Sequence, residues 1–287
     1  MQDLNGKIAF ITGGASGIGL AMAKAFGRAG MSVMIADIER AALDRGVEEL
    51  RASQVRAEGV LTDVASADSL RAAALETIAK FGKVHVVCNN AGVGAGGPIG
   101  QVAAQDWSWI IGVNLMGVVH GVEIFTPLIA GHGEGGHFVN TASIAGMISP
   151  PGMEPYNATK FAVVAMSEAW AGQLAPMNIG VSILCPGFVK TRIHESRRNR
   201  PGGAGADDDV STEAAASVFG GIPPEVVGER VVEAVRGDEL YIFTHTEFRA
   251  PVAARFDAIL AGFDKAAESP ALKGLAERAL PAMLVRE

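Results

Sequence analysis

Seven short apolar runs recur along the chain, at residues 8–11, 33–36, 55–61, 84–88, 137–140, 181–185 and 240–243, and their rhythm limits the fold more than any other feature. Each is too short for a buried helix and is bounded by polar or glycine-containing stretches, so each reads as a buried strand. Between them, residues 18–29, 41–51, 66–81, 105–129, 156–175 and 224–236 repeat apolar side chains at helical spacing. That alternation predicts an α/β fold, a single doubly wound parallel sheet of about seven strands. With 287 residues, 49% of them hydrophobic, the chain has ample material for one large core.

Two stretches break the rhythm. Residues 190–223 contain a Pro201-Gly202-Gly203 turn and the acidic run Asp207, Asp208 and Asp209, which cannot bury themselves; they read as a disordered insertion or a mobile substrate lid, and the lid is favoured because they follow a strand end. Residues 246–287 form an Ala/Leu-rich tail the sheet does not need, expected to be a helical extension that serves oligomer contact or covers the substrate pocket. The dinucleotide-binding catalytic domain is thus expected over 1–245. A net charge of −7 argues against nucleic acid as a partner. No stretch approaches about 18 uninterrupted apolar residues, and residues 1–7 lack a leader pattern, so the expected protein is soluble, cytoplasmic and free of the membrane. Cys88 and Cys185 each end an apolar run and read as core thiols rather than a disulfide.

Directly after the first run stands Thr12-Gly13-Gly14-Ala15-Ser16-Gly17-Ile18-Gly19, leading into a helix. Glycines at such a turn let backbone approach a pyrophosphate, whose charge is favoured by the helix N-terminus. A glycine cluster alone is weak, and an ordinary tight turn would look the same; strand, turn and helix in sequence make it a nucleotide site. Asp37 closes the second run, where a carboxylate accepts hydrogen bonds from ribose hydroxyls and repels a 2′-phosphate. With Ser16 and Ile38 at the flanking positions, NAD is favoured over NADP, although Arg40 lies close by.

Tyr156 and Lys160 sit one helical turn apart, on one face. A phenol near pKa 10 is a poor base at neutral pH, but an ammonium about 4 Å away is worth roughly 4 kcal/mol at an effective dielectric near 20, about three pKa units. The pair alone is common by chance and reads equally as a helix-surface pair. Ser143, just past the fifth run, sharpens it by offering a hydroxyl to hold a substrate oxygen against the tyrosine.

Taken together, Thr12-Gly13-x-x-x-Gly17-x-Gly19, Asp63-Val64, Asn89-Asn90-Ala91-Gly92, Asn114, Ser143, Tyr156-x-x-x-Lys160 and Pro186-Gly187-x-Val189-x-Thr191 resemble the short-chain dehydrogenase/reductase family over residues 4–245. The resemblance implies a Rossmann-type sheet, with Asp63 and Val64 at adenine and Asn90, Ala91 and Gly92 lining the cofactor. It further implies that Lys160 bonds the nicotinamide ribose and shares a proton relay with a water held by Asn114. Pro186, Gly187, Val189 and Thr191 would hold the carboxamide end. A homodimer or homotetramer through the helices near 105–129 and 156–175 is implied as well.

The expected reaction interconverts a secondary alcohol and a ketone, with Tyr156 as general acid/base. Candidate substrate contacts are Val93, Ser143, Ile144, Met147, Met153, Phe188, Ile193 and His194, mostly apolar, which favours a bulky hydrophobic or aromatic substrate. The lid, the segment from Tyr241 to His245 and the tail look like those of family members that oxidise aryl carbinols, including lignin-type Cα-dehydrogenases. An NAD-retaining epimerase or dehydratase, or a non-catalytic dinucleotide-binding sensor, are the alternatives. His85 and His137 flank strands and are expected to be packed or solvent-facing. No His, Cys and carboxylate set shows metal-ligand spacing in the sequence, so no metal is expected.

Overall fold

The computed structural model describes residues 1–203 and 212–275; residues 204–211 of the expected lid and 276–287 of the expected tail lie outside them. Seven parallel strands form one sheet: β1 (Ile8–Thr12), β2 (Ser32–Asp37), β3 (Ala57–Leu61), β4 (Val86–Asn89), β5 (Gly136–Thr141), β6 (Ile179–Cys185) and β7 (Tyr241–Phe243). Their order is β3-β2-β1-β4-β5-β6-β7, the doubly wound arrangement. Every residue of β1, β4 and β5 is buried, as strands covered by helices on both faces must be.

The connecting helices are α1 (Gly17–Arg28), α2 (Arg40–Ala52), α3 (Ala67–Phe81), α4 (Ala104–Ile111), α5 (Gly117–His132), α6 (Glu154–Leu174), α7 (Thr212–Phe219) and α8 (Pro224–Gly237). Their starts follow local chemistry. Ser66 caps α3 by accepting from Ser69 N at 3.2 Å, with Asp68 in the first turn, and α6 begins at Glu154-Pro155, where a missing N–H costs nothing. One core packs α1, α2 and α8 through Met22, Phe26, Leu43, Val227 and Val231 against Ile11, Val33 and Ile35. The other seats Leu70, Val122, Phe125 and Ile129 against Phe10 and Phe138, with the Phe10 and Phe125 rings 4.5 Å apart. Truncating Phe125 to Ala would cost about 3–5 kcal/mol.

The single helix expected over 105–129 is α4 and α5 joined by a π-turn, Gly112–Met116, into an unbroken rod from Ala104 to His132. By length and composition this rod is apolar enough to cross a membrane, yet the face bearing Val122, Phe125 and Ile129 lies in the core. Within residues 190–223, the described part forms a 3-10 helix, Ile193–Asn199, and α7.

The chain divides into two compact units, Met1–Thr246 and a second from Glu247 onward. The second carries α9 (Arg249–Ala267), none of whose residues is buried. Phe256, Ile259, Leu260 and Phe263 form an exposed apolar stripe along it.

Candidate active site

Strand order reverses between β1 and β4, and the crevice this opens at the carboxyl ends of the strands is where ligands bind in such sheets. On one side stands the turn between β1 and α1. Gly13 has φ +61°, and a Cβ there would meet Ala91 Cα at 2.9 Å; one on Gly19 would sit 2.0 Å from Gly13 O. Only glycine allows this turn to close on the opposite loop, which makes a bare backbone cradle of the kind a pyrophosphate needs.

The opposite loop is tied to it by Thr12, whose Oγ1 accepts from Asn90 N at 2.9 Å and Ala91 N at 3.0 Å. Asn90 Nδ2 in turn donates to Thr12 O at 3.0 Å. At the end of β2, Asp37 accepts from Ala15 N and Glu39 N, each at 3.1 Å. Burial pushes its carboxyl up from the ordinary carboxylate value, and those two backbone bonds pull it back. Arg40 turns to Asp44, 3.9 Å away. Val64 is buried and Asp63 exposed, with Asp63 Oδ1 accepting from Ala65 N at 2.9 Å.

Beside the cradle, three elements deliver the four catalytic candidates. The π-turn buries Asn114 completely, and its side-chain amide pairs with the backbone of Val93 in both directions, Val93 N to Oδ1 at 2.8 Å and Nδ2 to Val93 O at 2.9 Å. Such turns recur at functional sites because they re-aim one residue inside a helix. Ser143 follows β5, and Tyr156 and Lys160 share the first turns of α6. Lys160 Nζ donates to Thr141 O at 2.8 Å and lies 5.5 Å from the Tyr156 ring centroid. A Cβ placed on Gly92 would be 3.5 Å from Asn114 Oδ1 and 3.7 Å from Lys160 Nζ, so the cofactor-side loop and the catalytic set meet.

The electrostatics are dominated by burial. Against the expectation that Lys160 lowers the Tyr156 phenol by about three pKa units, desolvation raises it above its usual 10, with a hydrogen bond to Ser143 pulling it back, and lowers the Lys160 ammonium to about 8. Lys160 Nζ donates to Thr141 O and stays 5.5 Å from the ring centroid. The Cys185 thiol, also buried, is pushed up to about 12, which removes it as a thiolate nucleophile.

The loop after β6 lies across the crevice: Pro186 and Val189 are buried, and Thr191 touches Gly17, where a Cβ would be 3.0 Å from Thr191 Cγ2. Ser16 and Ile18 stand at the start of α1, partly exposed. Among the substrate candidates, Met153 and Phe188 are exposed at 37% and 50%, while Ile144, Ile193 and His194 are partly buried. Val93 and Met147 are buried, and Val93 belongs to a small cluster with Trp109 and Ile110 on which Tyr156 packs. Val93 therefore supports the tyrosine from beneath instead of forming an open pocket wall.

A short chain dehydrogenase family model matches residues 7–202. The chain belongs to the short-chain dehydrogenase family. This dehydrogenase is 36% identical over 266 residues, 91% of this chain and 87% of the other, to the C alpha-dehydrogenase of Sphingobium sp. (strain NBRC 103272 / SYK-6). A crystal structure of a short chain dehydrogenase/reductase from Burkholderia phymatum in complex with NAD matches with TM-score 0.86 and 40% identity, over 91% of this chain and 97% of that one. The LigO apo form from Sphingobium sp. strain SYK-6 matches with TM-score 0.81 and 33% identity, over 94% and 93% of the two chains.

Some site residues escape sequence reasoning. His245, just past β7, accepts from Gly187 N through Nδ1 at 3.1 Å and bonds Phe188 O through Nε2 at 3.0 Å, gripping a loop 58 positions earlier. Phe219 ends α7 with its ring 4.9 Å from that of His194. Neither has a local pattern that announces it. His85 and His137 are both packed, at 2% and 0% exposure. Sequence spacing also missed that folding brings ligand atoms of His85, His132 and Glu134 within 4.8 Å of one another. Lys7 and Lys83 both pair with Glu134, and two ammonium groups there oppose a cation.

Proposed function

We propose that this dehydrogenase uses NAD to interconvert a secondary alcohol and a ketone on a bulky hydrophobic or aromatic substrate. The observation that carries the reading is the meeting of Asn114, Ser143, Tyr156 and Lys160 at the edge of the glycine cradle. The cradle fits a dinucleotide: two of its glycines exclude any Cβ, and Asp37 stands at the ribose end with no cation of its own loop turned toward it. Gly13, Ser16, Gly17, Ile18 and Gly19 would hold the pyrophosphate, Asp37 the adenosine ribose, Asp63 and Val64 the adenine, Asn90, Ala91 and Gly92 the middle. Pro186, Gly187, Val189 and Thr191 would hold the nicotinamide end.

When bound, NAD supplies the hydride acceptor. Tyr156 takes the carbinol proton, and in reduction returns it. Ser143 holds the same substrate oxygen, which aligns it with the phenol. Lys160, an ammonium below about pH 8, would hold the nicotinamide ribose, and its positive charge opposes the burial that holds the phenol up. Asn114 has its side chain committed to Val93, so its main chain, in the π-turn, is what would hold the relay water.

The exposed apolar side chains Phe188, Phe219 and Met153 support an aryl or alicyclic substrate, as does the likeness to a C alpha-dehydrogenase. The domain over 1–245 is the catalytic unit, with 190–223 its lid and 246–287 an extension. The apolar stripe of α9 supports assembly as a homodimer or homotetramer, which light scattering would read directly. Free, buried Cys88 and Cys185 suit a cytoplasmic protein. The deciding experiment follows absorbance of reduced nicotinamide with NAD and, separately, NADP, across aryl carbinols and cyclic alcohols. Turnover with NAD is expected; cofactor binding without turnover on any of them would remove the reading.

A further inference from the structure

The lid reaches farther than a substrate cover needs. It leaves the sheet at the end of β6, and β6 is four strands away from β2, roughly 19 Å across the sheet. Residues 190–203 nevertheless touch the β2 end. Arg198 approaches Glu39 with Nη2 at 2.7 Å and Nε at 2.9 Å, and Asn199 Nδ2 donates to the same carboxylate at 2.9 Å. Glu39 is the N-cap residue of α2, and its own N–H donates to Asp37.

On the way the strap is anchored above the crevice. Thr191 rests on Gly17, Ser196 Oγ accepts from Gly94 N at 3.1 Å, and Arg200 Nε pairs with Asp106 of α4 at 2.6 Å. The Gly17 contact is on the pyrophosphate turn, the Gly94 and Asp106 contacts are on the substrate side, and the Glu39 contact is at the adenosine ribose. Between these points the strap crosses the carboxyl ends of β1 and β4. A dinucleotide lying from Gly17 to Asp37 would thus run between the strap's contacts at Gly17 and Glu39.

We propose that Glu39 is the latch that retains the dinucleotide: by gripping Arg198 and Asn199 it closes the strap over the adenosine half, so that cofactor release requires this grip to break. The proposal rests on the reading that the crevice binds NAD. The latch is built to hold. Both partners are about 30% exposed, at 28% and 29%, which limits the water available to replace their bonds. Arg198 is itself fixed, its Nη1 donating to Glu195 O at 3.0 Å and Arg192 O at 3.2 Å, so it presents a ready-made fork. Burial raises the Glu39 carboxyl, yet the bonds from Arg198 and Asn199 outweigh it and hold the group below the ordinary carboxylate value.

The test is NADH release from the whole enzyme, followed by stopped-flow displacement with excess NAD, alongside single-turnover hydride transfer from preloaded NADH to the aryl ketone whose carbinol it oxidises. Glu39→Gln keeps the shape and one acceptor but loses the charge; release is expected to quicken about ten-fold, with the single-turnover rate unchanged. Arg198→Met should do the same, and adding Glu39→Gln to it should bring little more, because the two residues act through one contact. If both variants bind NADH and release it at the wild-type rate, the latch is wrong and the cofactor reading stands. If Glu39→Gln accelerates release equally with and without Arg198, the grip is not the cause and the proposal falls. If the wild-type protein binds no NADH, the cofactor reading fails and the latch with it.

Discussion

At the amino ends of β4 and β5, His85 accepts from Ile8 N at 3.2 Å and bonds Glu134 at 3.0 Å, while His137 bonds Ser182 Oγ at 2.8 Å. At the carboxyl ends of the same two strands lie Asn114, Ser143, Tyr156 and Lys160. Both ends bury titratable groups, and burial shifts both sets away from the charged form. They differ in what the groups do next. The amino-end histidines meet main chain, a serine or a carboxylate already held by two lysines. The carboxyl-end phenol and ammonium open on a crevice whose walls are bare backbone. Buried polar chemistry alone does not mark a site; its position beside a cradle does.

The largest effect that would test this contrast is loss of the phenol oxygen. Tyr156→Phe removes the proposed proton acceptor and leaves the packing on Val93 and Trp109 in place. Turnover is expected to fall about a thousand-fold or more, with NADH binding and Tm near wild type. Retained turnover would move the acid/base role elsewhere.

The amino end should show the converse, a pH effect on stability without one on chemistry. Desolvation lowers the His137 imidazole to about 4, against an ordinary 6.5, and its Nδ1 faces Asp238 Oδ1 at 3.6 Å with no hydrogen bond. Between those values the unfolded chain binds a proton that the folded chain refuses. Stability from this group is therefore complete above 6.5 and is lost as pH falls toward 4, about 2 kcal/mol of it by about pH 5. His137→Gln, which keeps a donor for Ser182 and cannot titrate, should flatten that part of the urea-unfolding profile. An unchanged profile would mean that the histidine charges without penalty.

A third variant probes the carboxyl end at one remove. His245 grips Gly187 and Phe188 in the loop proposed to hold the nicotinamide, so His245→Ala should raise the KM for NAD about ten-fold and alter kcat far less. An equal fall in kcat and kcat/KM would instead place the histidine in the chemistry.

What the sequence disclosed follows from what is local. The strand rhythm and the glycine turn each depend on residues within one element and its neighbour, and the family resemblance rests on motifs of that kind. The seven strands and their parallel order therefore stand as expected, with ends displaced by one or two residues, as at Ala57 where 55 was expected. Contacts that join distant segments were not legible. His245 to Gly187 and Arg198 to Glu39 have no periodicity, and the π-turn within the rod from Gly112 changes hydrogen bonding without changing apolar spacing. The cluster of His85, His132 and Glu134 is of the same kind, assembled only when the amino ends of the strands come together.

That cluster carries the smallest expected effect and the sharpest form of the contrast. Glu134 receives Lys7 at 2.7 Å, Lys83 and His85, and these neighbours hold its carboxyl far below the ordinary value. Its side chain is 36% exposed, however, so water and salt can replace much of what a substitution removes. Glu134→Gln keeps the shape and takes the charge, leaving two ammonium groups to face outward, where solvent screens them. The neighbouring His85 is buried and still holds Ile8 N, so the strand end stays closed. Tm should fall slightly, less so at high salt, with kcat and KM as in the wild type. A marked loss of turnover would show the two ends of the sheet to be coupled, with structural and chemical burial no longer separate.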